Sequence, residues 1–236
     1  MHCVCESFTG QPGSPHFVFS DIDPHSQVKP ARSGDDALSE RVYAAVSGLI
    51  KSQQLHGGDI IVEMRLAEML GVSRTPLREA LQKLEGEGLV VRNGRSFVVR
   101  SVGLAEYLQS LKVRELLEGE AAAASAGKVP AEEIAAARRN IDALLALPVY
   151  SLERHWQSDD EVHALITDYC GNPVMGRMIN GLRMVTRLYE ATNLADRLVP
   201  DSTEHLAIVD ALDAGDARAA RHKAQSHLRS LYKASI

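Results

Sequence analysis

The sequence predicts a mainly α-helical protein with a small mixed N-terminal unit and a larger all-helical C-terminal unit. Of its 236 residues, 45% are hydrophobic but only 5% are aromatic, and this Ala- and Leu-rich composition favours helices. Strand signals occur only before residue 103, and every later segment has the apolar spacing of a helix. We therefore divide the chain into an extension (residues 1–35), a helix-and-hairpin unit (36–102) and a helical unit (103–236).

The first segment of the chain has no sustained periodicity. Residues 1–35 are scattered with Gly, Pro, Ser and His, which predicts a flexible extension. They lack the basic and apolar regions of a secretory signal, and no apolar run in the chain approaches the ~20 residues that span a bilayer. Three cysteines provide no disulfide framework. We expect a cytoplasmic protein with no membrane partner.

The net charge of −5 is unevenly distributed along the chain. Residues 38–102 carry nine Lys and Arg against seven Asp and Glu, whereas the remainder carries 17 against 24. The sign of a local region matters more for nucleic-acid binding than the total does. The acidic total therefore does not exclude a DNA-binding unit.

The elements of the second unit follow from its apolar pattern. An amphipathic helix is predicted over residues 38–54, and shorter helices over 65–70 and 73–85. Beyond them, two β-branched runs flank Asn93-Gly94 in GLVVRNGRSFVVRSV. Asn-Gly is a strong hairpin signal because both central residues of the turn must accept a positive φ. We expect a β-hairpin with this pair at its tip.

The two short helices have the residues of a helix-turn-helix. Ala67 is small where two helices must cross closely, and Gly71 can end the first helix in a left-handed conformation. Ser73 or Thr75 can cap the second helix. Pro76 is tolerated in the first turn, where its missing N–H is not needed.

This arrangement predicts a DNA-binding surface. Arg74, Thr75 and Arg78 lie exposed around the amino end of the second helix, the end that such folds insert into the major groove. Arginine suits bidentate contact with guanine, and hydroxyl groups suit phosphate. Arg92 and Arg95 flank the hairpin tip, where a wing could lie along the DNA. An alternative is a small helical domain whose arginines only face solvent.

The segment GVSRTPLREALQKLEGEGLV resembles the signature of the GntR family of bacterial winged helix-turn-helix regulators. The resemblance implies that the operator is contacted from the second helix and the wing, by Ser73, Arg74, Thr75, Arg78, Gly94 and Arg95. Met64 departs from the pattern, since members often carry a polar or basic residue there that reaches DNA. This chain is therefore expected to depend more on Arg65 or on the wing.

Beyond Val102 the chain is a series of helices separated by breakers. Helices are predicted over residues 104–127, 131–147, 151–170, 173–193, 202–214 and 216–233. The breakers are Gly127, Pro130, Pro148, Gly171, Pro173, Pro200 and Gly215.

Helical phase selects one acid and three histidines that face inward. In SDDEVH, Asp159 and His163 lie one turn apart on an apolar helix face. Asp160 lies only slightly off that face, so the choice between the two acids stays open. His205 and His227 occupy inward faces of two later helices. A lone inward histidine is usually a hydrogen-bonded core residue, but four buried polar groups without partners would be costly.

A shared cation would remove that cost. Three imidazoles and a carboxylate suit a divalent transition metal such as Zn, Ni or Mn. An Asp-x3-His pair followed by two further histidines resembles the metal-binding version of the FCD effector domain, an antiparallel helical bundle. VRELLEGEAAAASA also resembles its first helix. The resemblance implies that the metal ligands are Asp159, His163, His205 and His227.

In that branch of the family, the metal helps to hold a small carboxylate effector. Arg114 shares an inward face and could pair with such an acid, although it could equally pair with a nearby glutamate in the bundle. Arg187 and Arg183 are further candidates. The linker RSVGLAEYLQS is shorter than usual in the family and lacks an acidic residue often found there. This departure affects the expected geometry of the linker but not the assignment of the domain.

These observations predict a homodimeric transcription regulator that is not an enzyme. It would repress a catabolic operon by binding a palindromic double-stranded operator, and a small carboxylic or sugar acid at the metal would modulate that binding. One alternative is a metal-dependent enzyme on a helical bundle. Another is a DNA-binding protein with a purely structural metal.

Overall fold

The computed structural model describes residues 35–190 and 194–236. The N-terminal unit consists of α1 (Asp35–Lys51), β1 (Ile60–Ile61), α2 (Glu63–Leu70), α3 (Arg74–Gly86), β2 (Val90–Asn93) and β3 (Ser96–Val99). The C-terminal unit consists of α4 (Leu104–Ser125), α5 (Ala131–Leu145), α6 (Leu152–Tyr169), α7 (Pro173–Tyr189), α8 (Leu194–Asp213) and α9 (Ala217–Ala234). The mainly α-helical fold predicted from the sequence is confirmed.

The hairpin forms, but its turn is one residue later than predicted. Asn93 pairs with Ser96, so the two loop residues are Gly94 and Arg95. Gly94 has a φ of 60°, as a turn with glycine at its first central position requires. β3 also pairs with β1 to give an antiparallel sheet in the order β1-β3-β2. The sequence pattern missed β1 because two residues are too few to show alternation.

The helix-turn-helix has the predicted turn but not the predicted cap. Gly71 ends α2 with a φ of 66°, and its N–H is directed at the last carbonyl groups of that helix. Ser73 stands at the N-cap of α3 without a side-chain capping hydrogen bond, and Thr75 lies inside the helix. Pro76 is in the first turn, where no intrahelical donor is lost.

The helical unit is built around α4, which packs against α6, α7 and α9. α4 and α9 come close because both bury small residues, including Ala121 and Ala224, in one core. At Gly119 of α4, an added Cβ would lie 2.8 Å from the side chain of Gln225 on α9. α6, α7 and α9 begin with side-chain caps from Ser151, Asn172 and Asp216.

Two predicted helix limits in this unit are wrong. The helix predicted over residues 202–214 begins at Leu194 and contains Pro200, because a proline removes one hydrogen bond without ending a helix that is well packed elsewhere. The helix predicted over 173–193 ends at Tyr189. The predicted extension, residues 1–35, lies outside the described residues except for Asp35, where α1 begins.

A continuous core joins the two units. Val46 and Ile50 of α1 are buried in the same hydrophobic cluster as Tyr107 of α4, Leu188 of α7 and Leu228 of α9. α1 therefore connects the helix-turn-helix to the helices of the C-terminal unit. Within the described residues, no helix combines the length and apolar composition needed to cross a membrane.

Candidate metal centre and DNA-binding surface

Three helices bring the four predicted ligands together. α6 supplies Asp159 and His163, which are one turn apart on the same face. α8 supplies His205 and α9 supplies His227. One ligand atom from each of the four residues lies within 4.8 Å of the others. The convergence therefore depends on the packing of three separate helices.

The histidine rings face a common point. Nε2 of His163 lies 3.4 Å from Oδ1 of Asp159, and Nε2 of His205 lies 3.7 Å from the same oxygen. The ring centroids of His205 and His227 are 4.6 Å apart. All three rings are buried, and among the described residues their Nε2 atoms have no hydrogen-bond partner. Such atoms are costly to bury unless another group, such as a cation, satisfies them.

Carboxylates approach two of the rings from the side opposite the cluster. Nδ1 of His163 lies 2.7 Å from Oε2 of Glu118, and Nδ1 of His227 is hydrogen bonded to Oε2 of Glu204 at 2.8 Å. A carboxylate behind a ring fixes its orientation and leaves the other nitrogen for a metal. We did not predict Glu118 or Glu204 from the sequence. The available signal for Glu118 was its position one turn after Arg114.

The charges of Asp159 and His205 suit metal ligation. Burial opposes ionisation of Asp159, but Arg183 and His163 outweigh it and hold the pKa of that carboxyl well below its usual value. Burial, with repulsion from His227, lowers the pKa of His205 well below its ordinary value. Asp159 is therefore charged and His205 neutral, the states that a metal binds.

The donor set fits a divalent transition metal. Three imidazole nitrogens and one carboxylate oxygen are ligands that Zn, Ni and Mn accept, and they do not distinguish among these metals. The buried Nε2 atoms without partners supply the structural reason for a cation. Asp160, the alternative acid, is not in this group. Its carboxylate is instead paired with Arg183 and Arg187.

A cavity lies beside the cluster, with about 20 Å³ of free space. Arginines on α4 and α7 (Arg114, Arg183 and Arg187) contribute to its wall, with Glu190 and Asp201. The Arg114 side chain is 4% exposed, and its Nε donates to Glu118 at 2.6 Å. Arg114 thus pairs with a glutamate of the bundle, which is one of the two roles that the sequence left open for it. It also forms part of the cavity wall, where the other role would place it.

The predicted DNA-binding residues are all exposed in the N-terminal unit. Arg74 and Arg78 are 59% and 54% exposed at the amino end of α3, and both pair with Glu63 of α2. Met64, which departs from the family pattern, is 60% exposed beside them. The other predicted contacts are also exposed, on α2, before or in the first turn of α3, and at the tip of the hairpin: Arg65, Ser73, Thr75, Gly94 and Arg95.

Two family models match separate parts of the chain. A family model described as "Bacterial regulatory proteins, gntR family" matches residues 38–99, and one described as "FCD domain" matches residues 109–230. The chain belongs to the GntR family and carries an FCD domain. It is therefore a DNA-binding transcription regulator.

Relatives and solved structures share this architecture. The chain is 29% identical over 208 residues to the HTH-type transcriptional regulator YcbG of Bacillus subtilis (strain 168), covering 81% of this chain and 87% of the relative. It is also 29% identical over 185 residues to a "Probable D-xylose utilization operon transcriptional repressor" of Paenarthrobacter nicotinovorans, covering 75% and 80%. The structure of E. coli McbR/YncC has the same fold, with a TM-score of 0.73 at 23% identity, covering 84% of this chain and 96% of that chain.

Proposed function

We propose that this GntR-family regulator is a homodimeric repressor of a catabolic operon. A small carboxylic or sugar acid, bound at a divalent metal in the FCD domain, would release it from a palindromic operator. The observation that carries this proposal is the group of three buried, unpartnered Nε2 atoms and one carboxylate beside a cavity with arginines in its wall. The related regulator named for D-xylose utilization supports control of catabolism.

In this proposal the metal is held by Asp159, His163, His205 and His227. When bound, it supplies a positive Lewis-acidic centre that attracts an oxygen of the effector carboxylate. The protein contributes the arginines on the cavity wall, Arg114 and Arg187 with Arg183, which can form charge-assisted hydrogen bonds with an acid. The relatives named above are transcription regulators, and we assign no catalytic reaction to the chain.

The DNA contacts are assigned to the exposed surface of the N-terminal unit. Arg74 and Arg78 would enter the major groove, with Ser73, Thr75 and Arg65 beside them. Residues of the wing tip, Gly94 and Arg95, would contact the backbone or the minor groove. Two copies related by a two-fold axis would match a palindromic site. The place of action would be the bacterial cytoplasm, where operator DNA lies.

Signal transfer would use α7, which is part of both the cavity and the core shared with the N-terminal unit. Arg183 and Arg187 project from this helix into the cavity wall, and Leu188 is buried in the core with α1. The backbone carbonyl of Arg187 also accepts a hydrogen bond from Nε2 of Gln53 at 3.4 Å, just after α1. A small displacement of α7 would therefore change the position of the DNA-binding surface.

A panel of small carboxylic and sugar acids tests this proposal on metal-loaded and chelated protein. We expect at least one acid to raise the melting temperature and weaken operator binding, and both effects should disappear with chelator. A metal that stabilises the protein while no acid changes either quantity would instead support a purely structural site.

A further inference from the structure

Asp160 lies beside the metal cluster but takes no part in it. Its Oδ1 and Oδ2 lie 2.8 and 3.1 Å from the two terminal nitrogens of Arg187. One terminal nitrogen of Arg183 also donates to Oδ1 of Asp160, at 2.9 Å. This two-bond fork is the geometry in which an arginine recognises a carboxylate. Asp160 thus already occupies the kind of site that an acidic ligand would require.

The same two arginines line the cavity that we assign to the effector. Their side chains are only 11% and 6% exposed, whereas the side chain of Asp160 is 45% exposed. Asp160 therefore reaches the fork from its open side. Asp159 also contacts both arginines through Oδ2, but its Oδ1 faces the histidines. The geometry leaves Asp160 as the carboxylate that can depart without dismantling the cluster.

We propose that Asp160 is an internal competitor of the effector. Its carboxylate occupies the fork of Arg183 and Arg187 in the ligand-free protein, and the effector's carboxylate displaces it. This inference rests on the proposed function of the cavity. It gives Asp160 a distinct role: the residue sets the concentration of acid at which the regulator responds, because every ligand must first replace an acid of the protein itself.

The displaced side chain would also connect the effector to the DNA-binding unit. Asp160 and both arginines line a cleft of about 620 Å³ together with Tyr43 and Glu87 of the N-terminal unit. Glu87 is the C-cap residue of α3, the helix that carries Arg74 and Arg78. An unpaired Asp160 carboxylate would add negative charge to a cleft whose wall also carries Glu87. The added repulsion would act between α6 and the C-terminal end of α3.

Trp156 provides a direct optical probe of the fork. It is the chain's only tryptophan, and the guanidinium carbon of Arg187 lies 4.1 Å from its ring centroid. Acetate is the matching ligand, because it is the free-acid counterpart of the Asp160 side chain, whose carboxylate Asp160→Ala removes. We would titrate the zinc-loaded full chain with acetate and follow Trp156 fluorescence, using chloride at the same ionic strength as the salt control.

The matched control is Glu161→Ala, which removes a carboxylate at the next position of the same helix. Glu161 accepts hydrogen bonds from Asn140 and Gln157 instead of from the two arginines of the fork. For Asp160→Ala we expect the acetate midpoint to fall by about tenfold or more relative to the wild type, as loss of a competing charge-assisted pair implies. Glu161→Ala should keep the wild-type midpoint, and Asp160→Asn, which preserves side-chain volume, should shift it in the same direction as Asp160→Ala.

The alternative outcomes separate this inference from the proposed function. Equal midpoints in the wild type and both Asp160 variants, or the same decrease in Glu161→Ala, would overturn the role of Asp160. So would the absence of any acetate response in a protein that still releases its operator with another acid in a metal-dependent manner. In each of these cases the sensor function would stand. If the acid panel also failed, the sensor function would fail as well.

Discussion

The substitution Glu118→Gln tests the buried network on which the proposed metal centre is built. Glu118 is fully buried, between Nε of Arg114 at 2.6 Å and Nδ1 of His163 at 2.7 Å. Burial alone would raise the pKa of Glu118, but attraction from Arg114 and His163 reverses that effect and lowers it strongly. The carboxylate is therefore ionised in the folded protein, and its negative charge compensates a guanidinium that is 4% exposed.

Glutamine has nearly the same volume but no charge, so the substitution leaves the buried guanidinium of Arg114 without the carboxylate to which it is hydrogen bonded. Removing one partner of a buried ion pair costs about 3–5 kcal/mol. That is a large fraction of the roughly 5–15 kcal/mol by which a protein of this kind is stable. We expect a clear decrease in the urea midpoint, measured in chelator so that metal binding does not contribute.

Two further variants test whether the unpaired charge of Arg114 causes the loss of stability. Glu120→Gln neutralises an acid two residues later on α4, whose partner Arg221 lies at 2.7 Å on the surface. We expect little change there, because water and salt screen exposed ion pairs. Adding Arg114→Met to Glu118→Gln removes the stranded charge and should restore most of the lost stability. The reasoning is refuted if Glu118→Gln is as stable as Glu120→Gln, or if the double variant is no more stable than the single one.

Two other predictions concern the DNA-binding helix α3 and the metal ligand His205. Arg74→Ala and Arg78→Ala should each weaken specific operator binding by about 10- to 100-fold in gel shifts at moderate salt. The control is Arg138→Ala, which removes a half-buried arginine of the FCD domain that pairs with Asp210 and Asp213; it should bind the operator normally. Unchanged operator binding by both α3 variants would exclude α3 as the recognition helix. His205→Ala should lose the rise in melting temperature that zinc gives the wild type. His222→Ala, an exposed histidine on α9, should retain it, and a full zinc response in His205→Ala would remove that residue from the ligand set.

Local backbone chemistry made most of the fold predictable from the sequence. Gly71 marked the turn of the helix-turn-helix because its left-handed conformation strongly favours glycine. The same type of signal located the hairpin, but Asn93 pairs in the ladder and the turn begins with Gly94. Pro200 shows the limit of local rules. Tertiary packing maintains α8 through a residue that would end an isolated helix.

The candidate site was predictable only in part, because periodicity gives the direction of a side chain but not its partner. The phase of α6 pointed Asp159 and His163 inward, and the structure places both in the cluster. Asp160 is only one residue away, and phase could not separate the two acids. Glu118 was missed because its role depends on the packing of α4 against α6, which no local pattern encodes.

The charge balance around the cluster connects the metal, the effector and Asp160. Among the described residues, six carboxylates surround or line the site: Glu118, Asp159, Asp160, Glu190, Asp201 and Glu204. Four guanidinium groups face them, on Arg114, Arg183, Arg187 and Arg197. With the histidines neutral, as metal ligation requires, and all six carboxylates ionised, the excess is two negative charges, which one divalent cation would cancel. A carboxylate effector would then restore a negative excess in a region where charge is costly. If the Asp160 carboxylate moved from Arg183 and Arg187 into the open cleft, that region would lose one negative charge. Replacement of Asp160 by the effector carboxylate would therefore leave the metal-loaded site neutral.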